Sequence, residues 1–445
     1  PHEFKVTEAY RQAAADSYEG ASTFTKCLSE VLINSYESYE RLKKNGHVFT
    51  GIPTVRIVAD AEGEFFEVFD PFEGIGETHQ DMKKIFEKKS SHQPTHTATS
   101  RSMMGRGLSD VLTRNPNYRS ILYSKRNGKR LGYMIEWVAS SSNPNEKERI
   151  FSSRHDSAQE IEEIDKKIET PSGAYVKFSW QSDKESEPFP PKEELVKHLY
   201  YYHELRNILS DQTIKFELKY IPKSASTTTE SLQFYNPKRK KLIGFQGPTP
   251  LRFRFDDSLP RNDYKIEILD FDVFEADQDL NTTDGELRTQ GVYIQGEPSQ
   301  GFIPTIYTLT FFGLEDQFPS SSRKIFATLT LSEDTKQYLM DCYDISRPVF
   351  TKTRDGFKRG TAFYNALSKY VKSKIIPLLQ RSSSARFEES DDATKEGIDQ
   401  INKFVHEVVD VTPIVTDLDE TIDTAKFAKD SIKIVKGKKN IKLEK

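Results

Sequence analysis

Residues 22–43 carry two different faces on one helical repeat, and this limits what the chain can fold into more than any other feature. Phe24, Cys27, Leu28, Val31 and Leu32 recur at steps of three and four, so one face must be buried. Glu30, Asn34 and Glu37 fall at i, i+4 and i+7 and form a second, polar face. Strand-like runs follow at 54–58, 65–69, 121–124, 131–138 and 175–180. The third and fourth are joined through Asn127-Gly128, the dipeptide of tight hairpins. One amphipathic helix laid across several antiparallel strands predicts an α+β chain whose first domain, residues 1–185, is a two-layer α/β sandwich.

A stretch rich in Glu, Ser, Lys and Pro at 181–192 reads as a boundary. After it, Pro190-Pro191 opens an amphipathic helix with Leu195, Leu199, Tyr202, Leu205 and Leu209. Strands are expected at 214–218, 251–255 and 306–312, and a helix at 361–380 with Phe363, Leu367, Val371, Ile375, Leu378 and Leu379 on its buried side. These make a second α/β domain over 190–381. Residues 382–445 are acidic and then basic, with one helical stretch near 393–409, and read as a flexible C-terminal tail or a linker to a further module.

Bulk properties exclude several classes. The formal net charge of −4 leaves no overall basic field, so contact with nucleic acid has to come from local patches. No apolar run reaches the roughly 20 residues of a membrane helix. The only two cysteines, Cys27 and Cys342, sit in apolar helical contexts, which fits buried thiols in a reducing, cytoplasmic setting. His92 and His96 are spaced like zinc ligands on a helix, but Pro94 lies between them and nothing completes the set.

The polar face of the first helix has the chemistry that ATP hydrolysis needs. Glu30 is placed to act as base on an attacking water, and Asn34 one turn on offers a carbonyl oxygen to Mg2+, a hard cation that prefers oxygen. Glu37 could hold a metal-bound water or an arginine. Asp70 ends a strand and can accept from an adenine amino group, with Gly74 letting the backbone come close to the ring. Gly105-Arg106-Gly107 runs into Leu108-Ser-Asp-Val-Leu112, a glycine loop opening a helix whose free N–H groups suit phosphate. The stretch with Lys83, Lys84, Lys88, Lys89, His92, His96, Arg101 and Arg106 reads either as a lid over triphosphate or as a solvated charged loop.

Together these segments resemble the nucleotide-binding signature of the GHKL superfamily: gyrase B, heat-shock-90 chaperones, histidine kinases and MutL proteins. Glu30-x-x-x-Asn34-Ser35 is similar to the helix motif with its acidic base and magnesium asparagine. Asp70-Pro-Phe-Glu-Gly74-Ile75 is similar to the adenine-binding segment, and Ser102-x-Met104-Gly105-Arg106-Gly107 to the glycine lid. Ser172-Gly173-Ala-Tyr-Val176 resembles the closing strand motif. Three positions depart from it: Phe72 and Ser102 stand where the family has glycine, and Ala174 where it has threonine. The lost threonine hydroxyl is worth about 0.5–1.5 kcal/mol as a hydrogen bond.

The resemblance implies a Bergerat-type ATP-binding domain with ATP and Mg2+ as cofactors. Its nucleotide contacts would be Asn34 (also the metal ligand), Asp70, Gly74, Ile75, Met104, Gly105, Arg106, Gly107 and Leu108, with Glu30 catalytic. It also implies that the second domain is a transducer whose cation senses the γ-phosphate. Lys352 is the candidate for it, with Arg354 and Lys358 of the same cationic loop, 347–359, as alternatives. The organisation is closest to MutL- and MORC-like ATPases, nucleotide-gated clamps that dimerise with ATP. DNA in a repair or antiviral defence setting is the first client, through the basic turn Lys238, Arg239, Lys240 and Lys241, with Arg252 and Arg254 alternating on a strand nearby. The alternatives are a protein-remodelling ATPase of the chaperone kind, or a nucleotide sensor with negligible hydrolysis that signals to a protein partner or effector module.

Overall fold

In the computed structural model the first helix, α1, spans Phe24–Lys44. Thr23 caps it by accepting from the Lys26 N–H at 3.2 Å, and Arg41, Lys43 and Lys44 place positive charge on the last turn, where carbonyls lack helical partners. The structure describes residues 3–6, 23–86, 107–114, 118–139, 147–153, 158–180, 188–234, 238–280, 290–296, 312–349 and 356–387. The chain divides into two compact units, 1–380 and 381–445. Every described element lies in the first, the final helix alone running past its end.

Nine strands form one sheet: β1 (Glu3–Val6), β2 (Thr54–Asp60), β3 (Phe65–Asp70), β4 (Ser120–Arg126), β5 (Lys129–Ala139), β6 (Lys147–Ser153), β7 (Gly173–Ser179), β8 (Lys215–Ile221) and β9 (Thr228–Ser231). Their order is β1-β6-β5-β4-β7-β3-β2-β8-β9. Neighbours are antiparallel except β2 and β8. Asn127 (φ 48°) and Gly128 (φ 76°) turn the β4–β5 hairpin in the left-handed region, as the dipeptide predicts. β8 and β9 belong to this sheet although their residues follow the boundary read at 181–192.

Three short helices come between the strands: α2 (His79–Phe86), α3 (Gly107–Thr113) and α4 (Ala158–Lys167). α1 buries Leu28, Val31 and Leu32 in one core with Ile57, Phe66, Val68, Val176 and Phe178. The opposite sheet face is covered too. Ile164 of α4 and Ile168 just after it pack with Phe69, Tyr123 and Tyr175. The two-layer sandwich therefore gains a partial third layer, because alternate residues of β3, β4 and β7 are large and apolar on both sides.

The helix expected to run from Pro191 to Leu209 is broken into α5 (Lys192–Tyr201), a 3-10 turn (His203–Leu205) and α6 (Arg206–Leu209). Tyr202 takes extended dihedrals (φ −71°, ψ 114°) as its ring enters the first core, and the axis changes there. A second sheet follows in the order β10-β11-β13-β12, made of β10 (Arg239–Pro250), β11 (Glu267–Ala276), β12 (Gly291–Gly296) and β13 (Ile325–Leu331). Its helices are α7 (Leu314–Gln317), α8 (Glu333–Asp344) and α9 (Ala362–Phe387). Phe271, Val273, Ile294, Ala327 and Leu329 share a second core with Phe363, Leu367, Val371 and Ile375 of α9.

Two expectations for this region are corrected. Residues 251–255 form no strand; Phe253 and Phe255 anchor in an aromatic group with Tyr264, Tyr338 and Phe363, leaving Arg252 and Arg254 exposed. The cations at 239–241 are not a turn but the start of β10, paired with β11. The expected strand at 306–312 lies outside the described residues except for Phe312, and the helical stretch near 393–409 lies wholly outside them.

Candidate functional site

The centre of the site is the turn that follows β3, and α1 holds it. Ser35, Ser38 and Arg41 are three apart and make one stripe along the helix. The Ser35 hydroxyl donates to Asp70 Oδ2 at 3.0 Å, and Ser38 Oγ accepts from the Glu73 N–H at 3.1 Å. Arg41 Nε donates to Glu73 Oε2 at 2.8 Å. From the sheet side, Ser124 Oγ of β4 accepts from the Ile75 N–H at 2.7 Å. The turn is thus fixed between helix and sheet rather than left to solvent.

Asp70 is 8% exposed and carries an unusual carboxyl group. Burial pushes its pKa up to about 6, against the donors that hold it down: the Ser35 hydroxyl, the N–H groups of Phe72 and Ala174, and the more distant Arg41 charge. The Phe72 N–H reaches Oδ1 at 3.2 Å. Ala174, the position that departs from threonine, therefore still serves Asp70 through its backbone.

Phe72 is the clearest case of a departure with a structural reason. Its ring is fully buried, 5.5 Å from Tyr39 and 6.0 Å from Phe49 between centroids. The side chain points into the core beneath α1, so it fills space away from the Asp70 carboxylate.

Glycine at 74 is required by packing as well. It has φ +75°, and a Cβ there would collide with the Lys125 carbonyl of β4. This contact is a packing reason for glycine at 74.

Glu30 lies half-buried one turn before Asn34 on α1, and its carboxylate sits directly against the Cα of Gly107, the first residue of α3. A Cβ at 107 would overlap that carboxylate. Arg114 and Asp110 share the neighbourhood, both acting with Glu30 on the Cys27 thiol, which burial pushes up to about 12. Leu108 packs against the first core. Asn34 is half-buried beside Ser35, so its turn of α1 is the one tied to Asp70. Asp70 is thus tied to α1 through Ser35, Glu30 meets α3 at Gly107, and Gly74 and Ile75 meet β4 at Lys125 and Ser124, while Asn34 lies next to Ser35 on α1. Met104, Gly105, Arg106, Ser102 and Lys352 lie outside the described residues, as do Lys88, Lys89, His92, His96, Arg101 and Arg354.

Other residues stand differently from the sequence reading. Lys83 and Lys84 belong to α2, not to a loop. Thr78 and Asp81 cap that helix reciprocally, with the Thr78 N–H donating to Asp81 Oδ2 at 3.0 Å and the Asp81 N–H to Thr78 Oγ1 at 3.1 Å. The spacing Thr78-x-x-Asp81 is the sequence signal of that start. Glu37 is buried, and the charge it acts on is Lys336 of α8. Burial lowers the Lys336 pKa while Glu37 and Glu333 oppose that shift. Lys336 is thus a cation of α8 that acts on the polar side of α1. Within the basic stretch at 238–241, Lys241 is paired with Asp272 at 2.8 Å.

No family model matches the chain, and no curated protein does. Among solved structures it is similar to the N-terminal domain of a DNA repair protein. That match has 11% identity and a TM-score of 0.42, and covers 84% of this chain and 99% of the other. At that level the likeness bears on neither mechanism nor partner. Among the described residues no group of three or more His, Cys, Asp or Glu is arranged to hold a metal, and no helix is long and apolar enough to cross a membrane.

Proposed function

We propose that the chain binds Mg2+–ATP at the α1–β3 site and hydrolyses it, with Asp70 as the adenine acceptor and Glu30 as the base. One observation carries this reading: a buried carboxylate at a strand end is tied by hydrogen bond to the helix turn that bears Asn34, with Glu30 one turn away. A buried Asp whose other acceptor sites are filled by fixed donors is oriented to take one more donor, such as an exocyclic amine. The donor set also suits the metal. The side-chain oxygen of Asn34 would hold Mg2+, which when bound neutralises phosphate charge. Glu30 orients the attacking water and takes its proton, and its seat against Gly107 fixes where that happens.

In this reading the protein is a nucleotide-gated clamp that dimerises with ATP, and DNA is its client. Arg239, exposed at the first position of the edge strand β10, supports contact with phosphates. The test is calorimetry with ATP and magnesium, followed by turnover of wild type and Glu30→Ala. Replacement of Glu30 should cut turnover by about 10²–10⁴ and leave binding in place. Absence of binding heat at millimolar nucleotide would remove the proposal. A monomer by sedimentation, with and without a saturating non-hydrolysable analogue, would remove the clamp.

A further inference from the structure

The break in the helix at Tyr202 sends Arg206 onto the second sheet. Its Cζ lies 4.5 Å from the ring centre of Tyr293 and 5.1 Å from that of Phe326. Arg239, the first residue of the edge strand β10, covers Phe326 from 5.3 Å and Phe274 from 4.9 Å. Tyr293, Phe326 and Phe274 stand on adjacent strands β12, β13 and β11 and share one face, since Phe274 is paired with Phe326 and Phe326 is level with Gly291, two residues before Tyr293. Two guanidinium groups therefore sit on one aromatic strip and share the central ring.

Neither arginine forms an ion pair among the described residues, and their charges repel each other. Arg206 is held well inside the protein, and its Nη1 is buried with no hydrogen-bond partner. Aromatic faces offset part of the charge, but they give Nη1 no acceptor. The neighbouring Lys241 is already neutralised by Asp272. In a chain with 68 Asp and Glu against 64 Lys and Arg, carboxylates to pair both arginines are not scarce. Among the described residues their charge is left open on one face, and Arg239 is exposed at the sheet edge.

We infer that Arg206 and Arg239 form a phosphate-oxyanion site, entered from the β10 edge, in which one phosphate group supplies both the missing counter-charge and an acceptor for the Arg206 fork. Guanidinium matches phosphate through paired N–H donors, and adjacent π-faces suit a ligand that carries bases beside its phosphates. The phosphate comes either from a nucleic-acid backbone or from a free phosphate. The site lies on the second sheet and does not depend on nucleotide binding at Asp70.

The test uses the full chain with two probes. One is thermal stability in inorganic phosphate against chloride of equal ionic strength; the other is fluorescence anisotropy with a labelled DNA duplex across a salt series. Arg239→Gln is the main variant because the residue is exposed, and Arg206→Lys is the second, with its fold checked by circular dichroism. Lys240→Gln, on the opposite face of β10, is the control. Phosphate should raise the melting temperature of wild type and of Lys240→Gln, and the effect should be lost in Arg239→Gln. If the source is a nucleic-acid backbone, Arg239→Gln also weakens duplex binding about tenfold and reduces the salt slope by about 1. If the source is free phosphate, only the thermal effect changes. The inference is overturned if wild type responds to neither probe, if Arg239→Gln matches wild type in both, or if Lys240→Gln loses as much as Arg239→Gln. Binding of ATP, measured on the same proteins, reports on the α1 site separately.

Discussion

Replacing Asp70 by asparagine should make the protein more stable while removing the nucleotide binding proposed for it. The expectation follows from the raised pKa. With about 6 in the folded chain and the ordinary value near 3.8 when unfolded, the folded state holds the proton more tightly. Between those two values the folded state binds more protons, so stability falls as pH rises and levels off above about 6. The charged carboxylate then costs about 3 kcal/mol at pH 8 and about 0.5 kcal/mol at pH 4, at about 1.36 kcal/mol for each tenfold difference in proton affinity. Asparagine carries no such cost.

The surroundings accept asparagine as well. Ser35 has one hydroxyl hydrogen and two acceptors in reach, Asp70 Oδ2 at 3.0 Å and the Val31 carbonyl at 3.2 Å. With asparagine at 70, the hydroxyl donates to Val31 and accepts from the new amide N–H, while the amide oxygen keeps the Phe72 and Ala174 N–H groups. Urea denaturation at pH 8 should therefore show Asp70→Asn more stable by about 1–3 kcal/mol, with the gain mostly gone at pH 4. Calorimetry at pH 8 should find nucleotide binding abolished, because the amide presents a donor where the carboxylate presented a lone pair. A variant less stable than wild type at pH 8, or a gain of equal size at both pH values, would refute the account of the buried charge.

Other substitutions probe the neighbouring contacts. Gly107→Ala puts a methyl group into the Glu30 carboxylate; if Glu30 is the base as proposed, turnover should drop about tenfold or more with ATP affinity little changed, since a base displaced by an ångström loses its geometry. Phe72→Gly restores the residue that the resemblance favours, yet it should cost about 3–5 kcal/mol in chemical denaturation, because it empties a core position against Tyr39 and Phe49. Glu37→Gln should destabilise by about 1–3 kcal/mol by removing one of the two carboxylates, Glu37 and Glu333, that offset the buried Lys336 charge. Adding Lys336→Met should recover part of that loss, and additive effects in the double-mutant cycle would mean that the two side chains are not coupled.

What the sequence made legible follows from the range over which each signal acts. α1 could be read because its periodicity is local: the buried face and the polar face are both written within 21 residues. The Asn127-Gly128 hairpin and the position of Asp70 at a strand end are local in the same sense. α2 is just as local through Thr78 and Asp81, and α4 through Ile161, Ile164 and Ile168, but dense charge around both helices masks their patterns. The run at 251–255 has the alternation of a strand, and its aromatic residues do face inward. It fails as a strand because they are taken up by α8 and α9 instead of a ladder.

The rest was illegible because it depends on partners far along the chain. Four consecutive cations look alike whether they form a turn or a strand, until Asp272 selects Lys241 and Phe274 and Phe326 select Arg239. Lys336 is one lysine among many until Glu37, some 300 residues earlier, is found beside it. Phe72 looks like damage to a motif because the motif compares positions, whereas its ring answers to Tyr39 and Phe49. The last two of these pairings meet on α1, whose 5.4 Å pitch sets Glu30 against α3, Ser35 and Ser38 against the 70–75 turn, and Glu37 against α8. A rigid helix with contacts in all three directions cannot move for one of them alone. Glu37 and Ser38 are neighbours on that helix, so the contact with α8 and the contact with the 70–75 turn lie within one turn of each other.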